Sequence, residues 1–428
     1  MKKNIGVVGL WHLGCIISVS WAKLGHKVVG FDYDKERVSR LKDGIPPLYE
    51  PRLEEQITDN AKAGRLSFSD SINDLSNCDF IFLSYDTPVR DDDSSDTSIL
   101  LNSVKDLRSV MKNDAILIVS SQSPVGYCAS LRLILKEVNS TLDVAYSPEN
   151  LRLGEALKCY INPGRIILGT SDKETENNCI ELFSQIDAKI IPMGLESAEM
   201  VKHGINSFLA NSIVFANHLA DVCENCGARI DDVIKGMKSD PRIGQKAYLA
   251  PGIGFSGGTL GRDLKVLESL NQEHDGFARL FGLVHQLNGE RKKAILKRVK
   301  AILGDLNGKT IAALGVTYKP GTSTLRRSLP LEIVDLLTSE GASVKIFDPK
   351  ADYTELNDQN KYFISTSIEK ALEKADLAIL MTEWNEFRIA DWNKLSSLMA
   401  SPAMFDTKNF LNEQMLRSAG MQYHSVGR

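Results

Sequence analysis

Lys202 and Asn206 are the first residues whose types and spacing could do chemistry. They stand four positions apart in a segment with helical apolar periodicity, so both can point from one helix face toward the same oxygen atom. Alcohol oxidation needs donors that hold the developing alkoxide and a group that takes or relays the hydroxyl proton. A lone helix lysine is more often solvated, so the pair needs support from further candidates.

A second candidate lies at the amino terminus, where residues 7–14 follow a strand-like run and open a helical pattern. Gly9 can make the tight turn, Gly14 allows close helix packing, and the helix amino terminus can face a pyrophosphate. Asp32 ends the next strand-like run, where a carboxylate accepts from ribose hydroxyls and favours NAD over NADP. The expected cofactor-binding residues here are Gly9, Trp11, His12, Leu13, Gly14 and Asp32.

Trp11 departs from this dinucleotide-binding fingerprint. The position normally holds glycine, because the backbone must approach the pyrophosphate closely there. The sequence therefore predicts cofactor binding that is weaker than usual or shifted. The competing interpretation of the motif is an α/β sheet with an accidental loop.

Alternating strands and helices must position these residues. Short β-branched runs alternate with helical patterns up to about Met193, which is the signature of a parallel sheet. Strand signals then vanish from about Glu196 to Leu303 and return with Thr310. We therefore predict two Rossmann-like, doubly wound α/β domains joined by a long central helix and a helical middle domain. The expected domains are 1–195, 196–303 and 304–428, and the expected strands are 5–8, 28–31, 80–83, 116–119, 166–168, 310–316, 344–347, 377–380 and 403–405.

Composition excludes several classes of protein. The net charge of -4 and scattered Lys and Arg residues give no electrostatic footprint for nucleic acid. No apolar run reaches the length of a bilayer span and the amino terminus lacks a signal peptide's apolar stretch, so we expect no membrane partner and a cytoplasmic location. Seven irregularly spaced cysteines fit reduced thiols, and we interpret Cys223 and Cys226 as helix-packing residues rather than a metal or redox pair.

An ordered series of motifs extends over nearly the whole chain, from Gly9 to Asn409. Collectively the series is highly specific, and through it the chain resembles the UDP-glucose/GDP-mannose dehydrogenase family. The motifs of the series are residues 44–51 (GIPPLYEP), 87–88 (TP), 147–152 (SPENLR), 202–206 (KHGIN), 240–244 (DPRIG), 251–263 (PGIGFSGGTLGRD), 318–322 (YKPGT), 348–349 (DP) and 382–384 (TEW).

The resemblance implies that the first domain holds NAD, that the last holds the nucleotide of a UDP- or GDP-sugar, and that the sugar lies near the central helix. Members of the family typically oxidise the C6 alcohol of the sugar twice, consuming two NAD and giving a uronic acid. Many relatives dimerise through the central helix. The helix from Glu196 carries more apolar positions than one stripe needs, which predicts burial either between domains or against a second subunit, and we expect a homodimer.

The resemblance also assigns roles to individual residues. Lys202 and Asn206 would bind the oxyanion. Asp263 would work through water beside the reacting carbon and Glu149 would transfer a proton, although either could instead be a loop carboxylate or a helix cap. Thr87 is a further expected cofactor contact. The expected substrate-binding residues are Arg152, Arg242, Gly254, Gly257, Lys319 and Arg326. The competing interpretations are that the arginines are ordinary surface residues and that the glycines form a flexible turn.

Thr259 is the decisive departure from the family, because it occupies the position of the nucleophilic cysteine that captures the aldehyde. A threonine hydroxyl stays protonated near neutral pH, whereas a thiol is partly thiolate and far more nucleophilic. Gln122 also stands where a threonine normally helps position water, and Leu153 replaces a glutamate. We expect Thr259 and Gln122 to belong to an active site with altered rather than lost chemistry.

Three functions remain open at this point. The first is one NAD-dependent oxidation of a nucleotide-sugar alcohol, giving an aldehyde or ketone without a covalent thioester. The second is a complete oxidation to a nucleotide uronic acid, in which Glu149 or Asp263 activates water on the hydrated aldehyde. The third is a catalytically weak nucleotide-sugar-binding or regulatory protein, in which Trp11 blocks normal cofactor entry. The second α/β domain argues against a hydroxyacid dehydrogenase of the 6-phosphogluconate type.

Overall fold

The fold is described from a computed structural model, which covers residues 2–87, 96–148, 151, 154–256, 258–273, 279–356 and 358–428. The chain divides into two compact units, Met1–Gly204 and Ile205–Arg428. The division falls inside one long helix. Within the described ranges, no helix is long and apolar enough to span a membrane.

An eight-stranded sheet organises the first unit, with strand order β3-β2-β1-β4-β5-β6-β7-β8. Neighbouring strands are parallel except at β6 and β7, which pair antiparallel. Its strands are β1 (Asn4–Val8), β2 (Lys27–Phe31), β3 (Leu66–Ser69), β4 (Phe80–Leu83), β5 (Ile116–Val119), β6 (Asp143–Tyr146), β7 (Ile166–Thr170) and β8 (Ile190–Gly194). Its helices are α1 (His12–Lys23), α2 (Lys35–Lys42), α3 (Leu53–Lys62), α4 (Ser98–Leu107), α5 (Tyr127–Lys136), α6 (Ala156–Ile161) and α7 (Lys173–Phe183).

Both faces of the central strands are buried, which explains why β4 and β5 are continuous apolar runs. On β1, Ile5 and Val7 belong to the hydrophobic core on one face, whereas Val8 belongs to the core on the other. The first six strands follow the doubly wound order 3-2-1-4-5-6, in which ligands bind outside the carboxyl ends of β1 and its neighbours.

The second unit combines helices with a parallel six-stranded sheet of order β11-β10-β9-β12-β13-β14. This is again the doubly wound order. The helices before the sheet are α8 (Leu195–Cys226), which begins in the first unit, α9 (Ile230–Ser239), α10 (Thr259–Glu273) and α11 (Leu280–Leu303). The sheet and its helices comprise β9 (Thr310–Leu314), α12 (Leu329–Ser339), β10 (Ser343–Phe347), β11 (Phe363–Ile364), α13 (Ile368–Leu372), β12 (Leu377–Leu380), α14 (Asn385–Ile389), α15 (Trp392–Ser396), β13 (Ala403–Asp406), α16 (Glu413–Ser418) and β14 (Gln422–Ser425).

The predicted fold class is confirmed: two doubly wound sheets, a long helix and a helical middle segment are all present. Each predicted strand coincides with an observed one. The sequence did not predict β6, which lies inside the first sheet, or β3, β8, β11 and β14, which form the sheet edges. The long helix ends at Cys226, and Gly227 follows with a φ of +75°, the left-handed conformation that commonly ends a helix.

A charged network links α8 to α11 in the second unit. The Arg291 side chain is almost fully buried and its Nη1 donates to both carboxylate oxygens of Asp221, at 2.7 and 2.8 Å. Arg298 Nη2 donates to Asp221 at 2.6 Å and to Glu224 at 2.7 Å. Burial alone would raise the pKa of Asp221, but the hydrogen bonds and charges of the two arginines outweigh it and lower that pKa.

Replacement of Asp221 by Asn should destabilise the protein, because it leaves two largely buried guanidinium groups with one charged partner fewer. We expect the free energy of unfolding in urea to fall by about 2–3 kcal/mol near neutral pH. Since the folded pKa of Asp221 is depressed, this contribution is present above the unfolded value of about 3.9 and is lost as the pH falls below it. Asp232→Asn is the matched control, because the Asp232 side chain is exposed on α9. Equal losses in the free energy of unfolding for both variants would contradict the prediction.

Candidate active site

The loop between β1 and α1 is built by two glycines. Gly9 adopts a φ of +91°, and a Cβ atom there would lie 2.8 Å from the Tyr85 ring. A Cβ atom on Gly14 would lie only 1.9 Å from the carbonyl oxygen of Gly9, so the first turn of α1 packs directly on the loop. Trp11 precedes α1 and supplies no side-chain cap to its first-turn N–H groups. A helix amino terminus of this kind fits a pyrophosphate.

Asp32 lies at the carboxyl end of β2 and is buried. Its carboxylate accepts from the backbone N–H of Leu10 at 2.6 Å and from that of Asp34 at 3.0 Å. Arg37 Nη1 donates to the same carboxylate at 2.8 Å, and Arg37 Nη2 lies 3.2 Å from Asp34 Oδ2. The predicted ribose acceptor therefore also fixes the glycine loop, and an arginine shares it.

Trp11 is 40% exposed and turns its indole toward Arg37, whose guanidinium carbon lies 5.3 Å from the ring centroid. This distance is typical of a cation–π contact. A surface pocket of about 270 Å³ opens beside the stack. Its lining residues are Trp11, Asp34, Glu36, Arg37, Arg40, Ile45 and Pro47.

His12 and Leu13 occupy the first turn of α1. Leu13 is buried, and the His12 ring Nε2 lies 3.1 Å from Glu50. The Glu50 carboxylate also accepts from the backbone N–H groups of Gly154 and Ala156, at 2.9 and 2.8 Å. Glu50 belongs to the motif of residues 44–51, but the sequence predicted no role for it. A single buried glutamate thus ties α1 to the segment that leads into α6.

Thr87 and Gln122 are brought together at the carboxyl edge of the first sheet. Thr87 is buried, and its Oγ1 donates to the carbonyl oxygen of Gln122 at 3.1 Å. Lys202 lies half-buried on α8 in the first unit, and Asn206 follows one helical turn later, in the second unit. The helical spacing that motivated this pair is therefore correct.

Asn206 and Asp263 form a buried pair in the second unit. The Asn206 amide Nδ2 donates to Asp263 Oδ2, and both side chains are more than nine-tenths buried. Thr259 is the first residue of α10 and is exposed, one turn before Asp263 on the same helix. The carboxylate and the threonine therefore share one face of α10.

The glycine-rich segment before α10 is held by side chains from α8 and α11. Asn217 Oδ1 accepts from the Gly252 N–H at 2.7 Å. Asn288 bonds both backbone groups of Phe255, at 2.9 and 3.0 Å. Gly254 adopts a φ of +106°, and a Cβ atom there would lie 2.6 Å from Asn288 Oδ1. The segment is consequently fixed rather than a loose turn, and glycine at 254 is required by the protein's own packing.

The predicted basic contacts that the structure describes are exposed. Arg242 is exposed and its guanidinium forks onto Asp240, at 2.6 and 3.0 Å. Lys319 is exposed beside the Tyr318 ring, and Arg326 is exposed on the segment before α12. The predicted residues Glu149, Arg152 and Gly257, and also Leu153, lie outside the described residues.

The second sheet repeats the loop architecture of the first. Gly315 follows β9 with a φ of +82°, as Gly9 follows β1. Asp348 follows β10 and accepts from the N–H groups of Val316 and Thr317, at 2.8 and 3.0 Å. The carboxyl edge of the second sheet therefore offers a second loop of the kind that binds nucleotides.

Comparison with known proteins gives full-length similarity. Sequence profiles of the UDP-glucose/GDP-mannose dehydrogenase family match residues 3–187 (NAD binding domain), 196–290 (central domain) and 312–413 (UDP binding domain). The chain is 32% identical to the UDP-glucose 6-dehydrogenase of Rickettsia conorii over 430 residues, 99% of either protein. It is also 32% identical to a UDP-glucose 6-dehydrogenase of Bacillus subtilis over 432 residues, 99% of this chain and 98% of the relative.

Two solved structures extend this similarity to the fold. A UDP-glucose dehydrogenase from Pyrobaculum islandicum is 26% identical, with a TM-score of 0.87, over 100% of this chain and 98% of its own. The NDP-N-acetyl-D-galactosaminuronic acid dehydrogenase of Methanosarcina mazei is 25% identical, with a TM-score of 0.88, over 100% and 95%. With the glycine loops, Asp32 and the Asn206–Asp263 pair in place, the chain belongs to the UDP-glucose/GDP-mannose dehydrogenase family and is an NAD-dependent nucleotide-sugar dehydrogenase.

Proposed function

We propose that this dehydrogenase oxidises one alcohol of a UDP-sugar once and releases an aldehyde or ketone. The observation that carries the proposal is Thr259 at the start of α10, where the family resemblance places a cysteine. A thiol at a helix amino terminus is readily activated, because the helix dipole favours the thiolate. A threonine hydroxyl gains no comparable anion there, so capture of an aldehyde carbon has no nucleophile.

Six of the seven thiols are unsuited to supply the missing group, and the seventh, Cys159, lies on α6 in the first unit. Burial raises the pKa of Cys15, Cys78 and Cys179 to about 12, and that of Cys128 is also raised by burial. In the second unit, Cys223 lies 17 residues after Asn206 on α8, which corresponds to roughly 25 Å along the helix. Cys226 lies farther along the same helix.

The side chains that the first oxidation needs are retained. Bound NAD supplies the acceptor for the hydride that leaves the alcohol carbon. Lys202 and Asn206 would hold the oxygen as its proton departs, and the buried Asp263 carboxylate, which accepts from Asn206, would orient that amide and receive the proton through water. One alcohol then loses a hydride and a proton, and no enzyme-bound carbon intermediate is required.

The comparisons support a UDP-sugar as the substrate, since the carboxy-terminal profile is that of a UDP binding domain and the relatives quoted above are UDP-glucose 6-dehydrogenases. We assign NAD to domain 1–195, the nucleotide of the sugar to domain 304–428, and the oxyanion-binding Asn206 to the central domain 196–303. In this scheme Arg152, Arg242, Lys319 and Arg326 contact the substrate, and Gly254 and Gly257 line it. The free thiols support a reducing, cytoplasmic location.

We further infer a homodimer formed through α8. Phe208, Phe215 and Val222 are spaced by seven residues on this helix and are 68%, 47% and 58% exposed. A stripe of large apolar side chains at heptad spacing is typical of a helix that packs against a second helix. A second copy of the chain is the occupant that the family resemblance favours.

Asp32→Ala should weaken NAD binding by at least tenfold, because it removes a charged acceptor worth about 1.5–3 kcal/mol and frees the Leu10 N–H. Titration calorimetry with NAD and NADP measures the effect, and the wild-type protein should prefer NAD. Asp34→Ala is the matched control, because Asp34 also contacts Arg37 but is exposed. Equal binding of NAD and NADP by the wild type would overturn the assignment of Asp32 to the ribose.

Limiting UDP-glucose and excess NAD should yield one NADH per sugar nucleotide and a product trapped by a carbonyl reagent, because the chain lacks the thiol for the second step. Absorbance at the NADH band and mass spectrometry of the trapped product measure this. Thr259→Cys should raise the yield above one equivalent, whereas Thr259→Ser should not. Two equivalents from the wild type, with no trapped carbonyl, would establish oxidation through the hydrate instead.

Phe208→Glu combined with Phe215→Glu should convert a dimer to a monomer, since two charges would be buried without partners at the helix contact. Sedimentation velocity of the full chain measures the mass. Leu133→Glu, on an exposed position of α5, should leave the dimer intact. A monomeric wild type, or a double variant that still sediments as two chains, would refute the α8 dimer.

A further inference from the structure

The loop of residues 120–126 connects β5 with α5 and carries Gln122. Side chains from outside the loop hold its backbone at this residue and after it. Thr87 donates to the Gln122 carbonyl oxygen at 3.1 Å. Glu199 and His203, which lie one turn apart on α8, bond the residues that follow. All of these residues belong to the first unit.

Glu199 caps the helix that follows the loop. It is fully buried and accepts from the N–H of Gly126 at 2.6 Å and from that of Cys128 at 2.8 Å. Gly126 is the N-cap of α5 and has no side chain, so the glutamate supplies the acceptor that a capping residue would. The Ser123 hydroxyl lies 3.4 Å from the same carboxylate. Burial raises the pKa of Glu199 and the two N–H donors oppose that shift.

His203 makes the second contact from α8. It is 2% exposed, and its Nε2 lies 3.1 Å from the carbonyl oxygen of Ser123. A carbonyl oxygen only accepts, so Nε2 carries the hydrogen in this bond. Ser123 directly follows Gln122, whose own carbonyl receives the Thr87 hydroxyl. Two consecutive carbonyl groups are therefore oriented by buried donors.

We propose that Glu199 and His203 are positioning residues of the oxidation, which act by fixing the Gln122 loop against the turn of α8 that carries Lys202. They precede and follow Lys202 on that turn, so the same two side chains set the distance between loop and helix. The inference rests on the proposed function, in which Lys202 holds the reacting oxygen, and on the expectation that Gln122 belongs to the same active site.

Loss of this support should affect turnover more than binding. A displacement of about 1 Å at a reacting centre can cost up to about a hundredfold in rate, whereas cofactor contacts at the β1–α1 loop are made by other residues. A residue that only stabilises the fold would lower the melting midpoint and leave kcat unchanged. A lower kcat with KM nearly unchanged therefore indicates positioning, whereas a lower melting midpoint with kcat unchanged indicates a purely stabilising role.

The test compares His203→Leu, His203→Gln and Glu199→Gln in the full-length enzyme, with UDP-glucose and NAD as substrates. We expect His203→Leu to lower kcat about tenfold or more, with KM for either substrate within about twofold and a melting midpoint lower by about 2–4 °C. His203→Gln keeps an N–H donor and should recover most of the rate. Glu199→Gln places an NH₂ group against one N–H donor and should lower kcat at least as much. Glu196→Gln, on the exposed side of α8, is the matched control.

A double-mutant cycle shows whether the effect passes through Gln122. In a Gln122→Ala background His203→Leu should cost little further rate, because the side chain that it positions is already absent. An equal loss in both backgrounds, or an unchanged kcat in His203→Leu and Glu199→Gln, would overturn the inference. If Glu199→Gln does not fold, the His203 variants decide alone. Unchanged turnover in both Gln122→Ala and Lys202→Ala would instead refute the proposed active site.

Discussion

Buried carboxylates that accept hydrogen bonds from backbone N–H groups are the constraint on which the loops of this protein depend. A carboxylate taken out of water costs several kcal/mol unless donors surround it, so each such group selects one conformation of the loop that provides them. The loops in question lie at the carboxyl ends of strands or before helices, where a doubly wound sheet places its ligands. The carboxylates are Asp32, Glu50, Glu199, Asp348 and Asp406.

The reaction that we propose follows from which groups share this fixed framework. Asn206 and Asp263 are held together inside the second unit, so the site for an oxygen that loses a proton is organised before substrate binds. The missing cysteine belongs to a different part of the chemistry, because hydride loss from an alcohol needs no nucleophile, whereas oxidation of an aldehyde needs one or an activated water. In the reaction that we propose, Thr259 therefore separates the two steps and leaves the residues of the first in place.

The sequence was sufficient for the fold class, the strands of both sheet centres and the Lys202–Asn206 spacing, because long periodic segments and ordered motifs determine these. It was insufficient for residues whose role depends on distant partners. Glu199 appears in the sequence only as a charge on an apolar helix face, and its function becomes visible with the N–H groups of Gly126 and Cys128. For Gly254, the sequence could not show that a Cβ atom there would lie 2.6 Å from Asn288 Oδ1, a reason for glycine that depends on a residue of α11.

Trp11 shows why a departure from a motif must be interpreted with its surroundings. A glycine at this position would leave Arg37 without a ring to stack on, whereas the indole holds the guanidinium near the Asp32 carboxylate. The Trp11 side chain is 40% exposed. The close backbone contact that the loop requires is made between Gly14 and Gly9 and does not involve Trp11. The bulk of Trp11 therefore lies against Arg37 beside Asp32, the proposed ribose acceptor, while the first turn of α1 keeps its N–H groups without a side-chain cap.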